Sequence, residues 1–291
     1  MTLSSVRGLA YERLGTAEQT FRCCDTEFLV RVDGHRATDV ARRGRQTALS
    51  LEDQLNAFDP GSAVTALNAD GHVENEHVAR IVTRGLEYHN RTGGVFDIRQ
   101  GRVEHELKSY LGGDVDSLPT GFDEGTVDVD GDRVGATVPV DLNGLAKGYI
   151  VDRVFGVLSG LSRSGFVSGG GDTSPPPGPI AIESPYGDSS PLKVLETDWN
   201  VATSGGYRRR RKGTDHIYDP TRGRLGSRHE SVTVVAKRDC MEADALATTL
   251  AAMPTEDGLE LVANWPDVEA LVVHSGVFHR TEGFEDHVVD Y

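Results

Sequence analysis

An aspartate and a threonine in the last quarter of the chain could together hold a divalent cation. Asp244 and Thr248 are four residues apart in a segment predicted to be helical, so both side chains lie on one helix face. A carboxylate and a hydroxyl, joined by a nearby backbone carbonyl, are the hard oxygen ligands that Mg²⁺ prefers. Most Asp/Thr pairs are simply solvated, so the pair alone leaves an ordinary helix surface open as the alternative.

A strand-to-helix turn in the middle of the chain has the features of a phosphate site. A strand ends at Asp141, Asn143 is predicted to be the N-cap, and Lys147 follows one turn into the helix. Backbone N–H groups and the positive end of a helix dipole attract anions at such a turn, and Lys147 adds a positive charge. Such turns are common, so an ordinary capped helix with a solvated Lys147 remains the simpler interpretation of the local pattern.

A glycine-rich loop follows the strand predicted at 165–168. The glycines before Asp172 would let the backbone approach a ligand closely. The loop does not have the G-x-G-x-x-G pattern, and prolines follow it where a helix would be required, which excludes a Rossmann dinucleotide site. The loop is equally compatible with a ligand contact and with no functional role.

A histidine before a proline-containing turn is the candidate base. His216 can take a proton from a hydroxyl near neutral pH, and Asp219 precedes Pro220, which favours an extended or turn conformation. A single histidine in a turn is nevertheless more often structural than catalytic. The basic run at 208–212 is predicted to be a solvated hairpin. The His- and Glu-rich segment 72–77 lacks the H-E-x-x-H spacing and is predicted to form a helix start, not a metal site.

The elements that must position these groups are helices and strands that interleave without a strict βαβ repeat. This arrangement predicts an α+β fold with no internal repeat and no clear linker. Apolar spacing predicts helices at 37–58, 77–90, 145–158 and 242–253. Strands are predicted at 28–32, 165–168, 231–236 and 270–273, near Ile180 and Trp199, and as a hairpin around Asp130-Gly131-Asp132.

The charge balance excludes one class of partner. The net charge is -15, and only five of the 30 basic residues are lysines. An acidic, lysine-poor surface is typical of a salt-adapted proteome, because carboxylates keep a protein hydrated where salt screens their repulsion. A nucleic acid needs a basic face, so it is not expected to be the main partner.

The cysteine content and hydropathy favour a cytoplasmic protein. Cys23, Cys24 and Cys240 form neither a disulfide framework nor a zinc knuckle, and free thiols in a reducing cytoplasm are expected. No apolar run approaches the length of a membrane span, and the first ten residues show no signal peptide, twin-arginine leader or lipobox.

Taken in order, these segments resemble the ApbE family, the FAD:protein FMN transferases. One motif would be modest evidence, whereas eight in the same order are highly specific, and they span about residues 20 to 255. The motifs are Cys24-Asp-Thr-Glu-Phe28, Leu55 to Ser62 with Leu67-Asn68, Thr92 to Asp97, Asp141 to Asp152, Gly170-Gly-Asp172, Ala202 to Gly205, His216 to Gly223, and Ser231 to Thr248.

The resemblance implies a single domain, residues 21–291, with mixed or antiparallel sheets and helices around a central FAD cleft, after an N-terminal extension of residues 1–20. It also implies three groups of site residues. The isoalloxazine ring would lie near Cys24, Phe58, Val95, Phe96 and Asp97. Further FAD contacts would come from Asp141, Lys147 and Tyr218. Mg²⁺ would be held by Asp244, Thr248 and the backbone carbonyls of Gly144 and Ala247.

The chain departs from the family pattern at several of these positions. Cys24 stands where the family has Met, Asp25 where it has Gly, Phe58 where Tyr is usual, and Asn143 where it has Gly. The loop 173–178 is short and proline-rich, so product handling could differ. Many members of the family are exported lipoproteins, whereas no export signal is seen here.

The activity implied by the resemblance is a phosphoryl-type transfer that depends on Mg²⁺. The FMN half of FAD would pass to a Thr or Ser hydroxyl of an acceptor protein with release of AMP, and His216 would be the base or orienting group. No acceptor motif is found in the chain, so the acceptor is expected to be a separate protein. The alternatives are an FAD pyrophosphatase, in which water replaces the hydroxyl, and a non-catalytic FAD-binding or electron-transfer protein.

Overall fold

An eight-stranded antiparallel sheet forms the centre of the molecule. The computed structural model describes residues 14–162, 164–187, 190–206 and 210–289. The order across the sheet is β1-β2-β6-β7-β10-β13-β14-β15, and every neighbouring pair is antiparallel. These strands are β1 (Leu14–Cys23), β2 (Thr26–His35), β6 (Ser164–Gly169), β7 (Asp172–Thr173), β10 (Asn200–Ser204), β13 (Ser231–Ala236), β14 (Val268–His274) and β15 (Val277–Arg280).

Smaller ladders and seven helices complete the described part of the chain, which confirms the α+β prediction. The remaining strands are β3 (His72–Glu74), β4 (Val127–Asp130), β5 (Arg133–Ala136), β8 (Ile180–Ile182), β9 (Lys193–Leu195), β11 (Tyr218–Asp219) and β12 (Arg224–Leu225). The helices are α1 (Ala37–Leu55), α2 (Ala63–Asp70), α3 (Glu76–Arg91), α4 (Gly101–Gly112), α5 (Asn143–Leu161), α6 (Cys240–Ala252) and α7 (Thr255–Ala263).

The middle of the sheet is buried on both faces, and the sequence of β13 reflects this. All six residues of β13 are apolar or small, and all are buried. Because successive side chains alternate between faces, Val232 and Val234 join the core under α1, α5 and α6. Val235 points to the opposite face, where it packs with Leu271 and with residues of β8 and β9. A strand buried on both faces is expected to read as a continuous apolar run.

Two predicted helix boundaries were wrong. The helix predicted to reach Phe58 ends at Leu55, because Asn56 leaves the helical conformation and its side-chain Oδ1 accepts a hydrogen bond from the Phe58 N–H. Asn143 is the first residue of α5 and not its N-cap. The preceding Asp141 supplies the capping interaction through Oδ1, which accepts from the Asn143 N–H.

The hairpin and the helix start that were predicted from turn residues are confirmed. Asp130 pairs with Arg133 across a two-residue loop, which joins β4 to β5. In the segment 72–77, Asn75 caps α3 by accepting hydrogen bonds from the N–H groups of His77 and Val78. The helix therefore starts within this segment, as expected, but the first three residues of the segment form β3.

The division into an extension, residues 1–20, and a domain stays a prediction, although the central sheet already includes part of the extension. β1 begins at Leu14 and pairs along its full length with β2, so residues 14–20 belong to the central sheet. Residues 1–13 lie outside the described part of the chain. Among the described helices, none is both long enough and apolar enough to cross a membrane.

Candidate functional site

A cavity of about 1080 Å³ lies between the central sheet and the ends of several helices. Its volume is at the upper end of the range for small-molecule sites. The predicted site residues come together here with one exception: Ala247 does not line the cavity and is buried on α6 between two residues that do. The lining includes Cys24, Phe58, Val95, Phe96, Asp97, Asp141, Gly144, Lys147, His216, Tyr218, Asp244 and Thr248.

A buried ion cluster joins α5, α6 and β7 at one wall of the cavity. Lys147 forms ion pairs with both Asp172 and Asp244, the second with Nζ 3.2 Å from Oδ1. The Gly148 N–H donates to the other oxygen of Asp244. The two helices cross closely because residue 148 has no side chain: a Cβ there would lie 2.7 Å from the carbonyl oxygen of Cys240.

The cluster has two carboxylates for one ammonium group. Burial alone would lower the pKa of Lys147, but the charges of Asp172 and Asp244 raise it well above its ordinary value, so the side chain stays protonated. Burial, and then the negative charge of Asp244, raise the pKa of Asp172. An excess of negative charge at a buried position is costly unless a cation compensates for it.

The neighbouring groups fit a hard divalent cation. Thr248 lies one turn after Asp244 on α6, and its Oγ1 is 3.4 Å from the Oγ of Ser204. A Cβ placed on Gly144 would come within 3.6 Å of the Thr248 methyl group and 3.0 Å of the Phe96 ring, so the backbone of residue 144 lies beside Thr248. The Asp244 carboxylate and the Thr248 hydroxyl, one helix turn apart and beside the backbone of residue 144, are oxygen groups of the kind that Mg²⁺ prefers.

The phenol of Tyr218 and the carboxylate of Asp141 form a second polar wall. Tyr218 donates a hydrogen bond of 2.9 Å to Oδ2 of Asp141, whose Oδ1 accepts from the Asn143 N–H. Burial raises the pKa of Asp141. Burial, and then the Asp141 charge, raise the pKa of Tyr218 well above its ordinary value. Tyr218 therefore remains a hydrogen-bond donor at neutral pH.

Hydrogen bonds made by Thr92, Asp97 and the nearby Arg99 hold the segment 92–97 in place. The Phe96 N–H donates to Oγ1 of Thr92, and the intervening Gly94 has a φ of 88°, which a residue with a side chain rarely adopts. The carboxylate of Asp97 accepts two hydrogen bonds from the Arg99 guanidinium, at 2.8 and 2.9 Å, and one from the Arg99 backbone N–H. Asp97 is therefore already paired, which makes it a positioning group for Val95 and Phe96.

Phe58 lines a different wall of the cavity, where its ring contacts the side chains of His105 and Lys108. Its ring is stacked on His105 with 4.3 Å between ring centroids, and the Lys108 ammonium is 3.6 Å from the Phe58 centroid. This arrangement fixes the ring at the rim of the cavity.

The tip of the β1–β2 hairpin brings sulfur atoms to the cavity. Cys24 and Asp25 both have positive φ values, 54° and 57°. The Cys24 N–H donates to Oε1 of Glu52 on α1, at 2.6 Å, and the sulfur atoms of Cys23 and Cys24 are 3.8 Å apart. All three cysteines are free thiols, as expected. The hydrogen bond with Cys24, burial and the nearby Glu52 charge raise the pKa of Cys23 far above its ordinary value.

His216 lines the cavity between two buried residues, Asp215 and Ile217. The Asp215 side chain accepts hydrogen bonds from the N–H groups of Ile217 and Ser227, each 2.9 Å long. These bonds fold the segment back on itself and hold His216 at the wall.

The prediction of a solvated basic hairpin was wrong for Arg211. Its guanidinium donates to the carbonyl oxygens of Tyr110 and Val115, each at 2.7 Å, and pairs with Asp116. Residues 208 and 209 of this run lie outside the described part of the chain.

Sequence reasoning missed Asp172 and Glu52 as parts of the site. Asp172 was noted as the end of a glycine loop and of a family motif, without a role, and its pairing with Lys147 links positions 25 residues apart. Glu52 sits in a helix of mixed charge and reaches Cys24 across 28 residues. Neither contact has a local sequence signal, although the scarcity of lysine made Lys147 itself conspicuous.

Most of the chain is similar to proteins of known family. The model of the ApbE family matches residues 24–272 of the chain. A Vibrio cholerae protein named FAD:protein FMN transferase is 30% identical over 244 residues, which cover 72% of each sequence. A protein of the same name from Treponema pallidum is 26% identical over 280 residues, with 75% of this chain and 72% of the relative covered.

Solved structures share the fold. The ApbE protein of Thermotoga maritima superposes with a TM-score of 0.81 at 25% identity, over 95% of this chain and all of the other. The flavin transferase ApbE of Vibrio cholerae gives a TM-score of 0.77 at 22% identity, over 94% of this chain and 99% of the other.

Proposed function

The chain belongs to the ApbE family, and from that premise we propose that it is a Mg²⁺-dependent FAD:protein FMN transferase. In this proposal the FMN half of FAD is joined to a Thr or Ser hydroxyl of an acceptor protein, and AMP is released. The observation that carries the proposal is the buried Lys147–Asp172–Asp244 cluster in a cavity that also contains the N-terminal turn of α5. A pyrophosphate and a divalent cation complement such a site together.

The groups proposed to hold the metal are Asp244, Thr248 and the carbonyls of Gly144 and Ala247. Bound there, Mg²⁺ would neutralise the negative charge that develops on the pyrophosphate during transfer. Lys147 contributes a fixed positive charge at the same wall, and its two carboxylate partners keep it protonated. The Tyr218 hydroxyl, whose pKa is raised, offers a neutral hydrogen-bond donor beside Asp141.

The flavin ring is proposed to lie against the remaining wall. Phe58, Val95 and Phe96 supply apolar surface there, Cys24 supplies a thiol at the position where the family has Met, and Asp97 holds the segment of Val95 and Phe96 in place. This arrangement would leave the pyrophosphate of FAD directed toward the N-terminal turn of α5.

The proposed reaction exchanges one phosphorus–oxygen bond for another. The acceptor hydroxyl oxygen attacks the phosphorus on the riboflavin side, the bond from this phosphorus to the AMP oxygen breaks, and the hydroxyl proton passes to His216. His216 lies on the cavity wall in a segment held by Asp215, which suits a group that must meet an incoming hydroxyl.

The test is an incubation of the purified protein with FAD, Mg²⁺ and several flavin-acceptor domains. Flavin fluorescence on the acceptor band in a denaturing gel, together with AMP, is expected. The Asp244→Ala variant should lower the rate about 10³-fold, since loss of metal stabilisation of the transition state is worth several kcal/mol. Asp53→Ala is the control, because Asp53 is an exposed aspartate on α1.

Two other outcomes would contradict the proposal. FMN and AMP formed without an acceptor, and no labelled acceptor, would identify a pyrophosphatase. Tight FAD binding without either product, unaffected by a chelator, would identify a flavin carrier.

A further inference from the structure

The β1–β2 hairpin places two adjacent cysteine side chains on the same side of the chain. Consecutive residues of a strand normally project to opposite faces. Here Cys23 ends β1 and pairs with Thr26, so Cys24 and Asp25 form a two-residue turn with both φ values positive. This turn brings the Cys24 sulfur back to 3.8 Å from the Cys23 sulfur.

A carboxylate from a different element completes the group. Glu52 extends from α1, and its Oε1 is held by the Cys24 N–H at 2.6 Å. The two sulfur atoms and a carboxylate oxygen of Glu52 all lie within 4.8 Å of one another. Three potential ligands from two elements are thus assembled by backbone geometry and one hydrogen bond.

From this geometry we infer that Cys23, Cys24 and Glu52 form a binding site for a thiophilic divalent cation of the Zn²⁺ or Cd²⁺ class. Two thiolates on one tetrahedral zinc ion, each with a bond of about 2.3 Å, have their sulfur atoms about 3.8 Å apart. The two sulfur atoms already have this separation. No large rearrangement of the turn is needed for both to reach one ion.

The site has an open position that faces the cavity. Cys24 and Glu52 line the cavity, whereas Cys23 is buried against α1, with its sulfur 3.8 Å from the carbonyl oxygen of Ala48. A cation can therefore enter from the cavity side and keep a fourth position for water or an incoming ligand. Three protein ligands and one open position are the arrangement of catalytic and exchangeable zinc sites.

The chemistry of this site differs from that of the Asp244 site. Sulfur ligands select Zn²⁺ and similar ions, while carboxylate, hydroxyl and carbonyl oxygens select Mg²⁺. Binding converts two thiols to thiolates: the cation and two S–H groups give two metal–sulfur bonds and two free protons. Affinity should therefore increase as the pH rises.

The experiment is a titration of the full-length, reduced, metal-free protein with Cd²⁺ in the absence of FAD. The ultraviolet charge-transfer band of cadmium thiolates should reach its maximum at one equivalent, and Zn²⁺ should remove it by competition. Cys24→Ala and Cys24→Gly should both abolish the band. The glycine variant accepts the positive φ, so a loss shared by both variants cannot be attributed to a distorted turn.

Further variants test the carboxylate ligand and the location of the bound cation. Glu52→Gln retains an acceptor for the Cys24 N–H but removes the charge, and it should weaken Cd²⁺ binding at least about tenfold. Cys240→Ala and Asp244→Ala should bind Cd²⁺ as the unmodified protein does, since neither residue belongs to the group. A titration without a thiolate band at one equivalent, or a band that persists in Cys24→Gly, would overturn the inference.

Discussion

The Lys147 cluster and the cysteine turn are two charged regions of the same cavity, and they are built in opposite ways. The cluster takes its residues from α5, α6 and β7, in regular backbone, and its two carboxylates are deeply buried. The cysteine turn takes its residues from the tip of a hairpin with two positive φ values and from the side of α1. In the cluster the unfavourable contribution to the free energy of folding comes from buried charge. In the cysteine turn it comes from strained backbone conformation.

This difference shows how the two regions can be tested separately. A buried ion pair that loses one partner leaves an uncompensated charge, so the cluster should respond strongly to changes in charge. A residue in the left-handed region is strained whatever its side chain, unless it is glycine, so the turn should respond to changes at Cα.

The largest expected effect is on the stability of the cluster. Lys147→Met keeps the length of the side chain but leaves Asp172 and Asp244 without their cation, and should lower the free energy of unfolding by about 3–5 kcal/mol. Lys108→Met is the matched control: its ion pair with Asp25 is largely exposed and should be worth about 1 kcal/mol or less. Urea denaturation at neutral pH measures the loss of unfolding free energy in both variants. Equal losses in the two variants would show that burial does not distinguish them.

An intermediate effect concerns the pH dependence of the helical frame that carries the cluster. Asp152 on α5 accepts hydrogen bonds from the N–H groups of Cys240 and Met241 at the start of α6. Burial, and then the negative charge of Asp239, raise its pKa from 3.8 to about 7, while Arg84 opposes the shift. Between these values the folded protein holds a proton that the unfolded chain has lost.

Stability should therefore fall as the pH rises from about 4 to about 7, by up to about 4 kcal/mol from this one group. Asp152→Asn cannot ionise and should flatten that part of the curve. Urea midpoints of the two proteins, measured at intervals across this range, give the difference directly. A difference that does not change with pH would contradict the expected titration.

The smallest expected effect is at the turn. Cys24→Gly should be more stable than Cys24→Ala by about 1 kcal/mol, because both lack the thiol and only alanine keeps the strain of a positive φ. Thermal denaturation of the two variants measures the contribution of this backbone strain to stability. If alanine were as stable as glycine, the backbone of residue 24 would carry no strain, and the contrast between the two regions would be lost.

The sequence was most informative where a feature depends on neighbouring residues. The helical spacing of Asp244 and Thr248, the turn before Lys147 and the two-residue hairpin loop after Asp130 were all predicted from local pattern, and the structure has each of them. Whether Asp244 and Thr248 hold a metal stays a prediction, since spacing on a helix face does not specify a ligand.

Contacts between distant segments could not be predicted. Helix α4 was also not predicted, because Gln100, the residue before it, makes no side-chain cap that would mark the start of a helix. The adjacent cysteines were not predicted to bind a metal together, because Glu52, which completes their group, lies on another element. The partners of Lys147 are likewise fixed by the packing of α5 on α6 and β7, which no single segment encodes.

The order of strands in the central sheet has a consequence for the synthesis of the protein. The β1–β2 hairpin is complete once residue 35 has been added, but the other edge of β2 pairs with β6, where Phe28 lies opposite Gly169. A ribosome that adds about 5–20 residues per second needs roughly 7–27 s to translate the intervening chain. During that interval the nascent hairpin has an open edge that another chain could join.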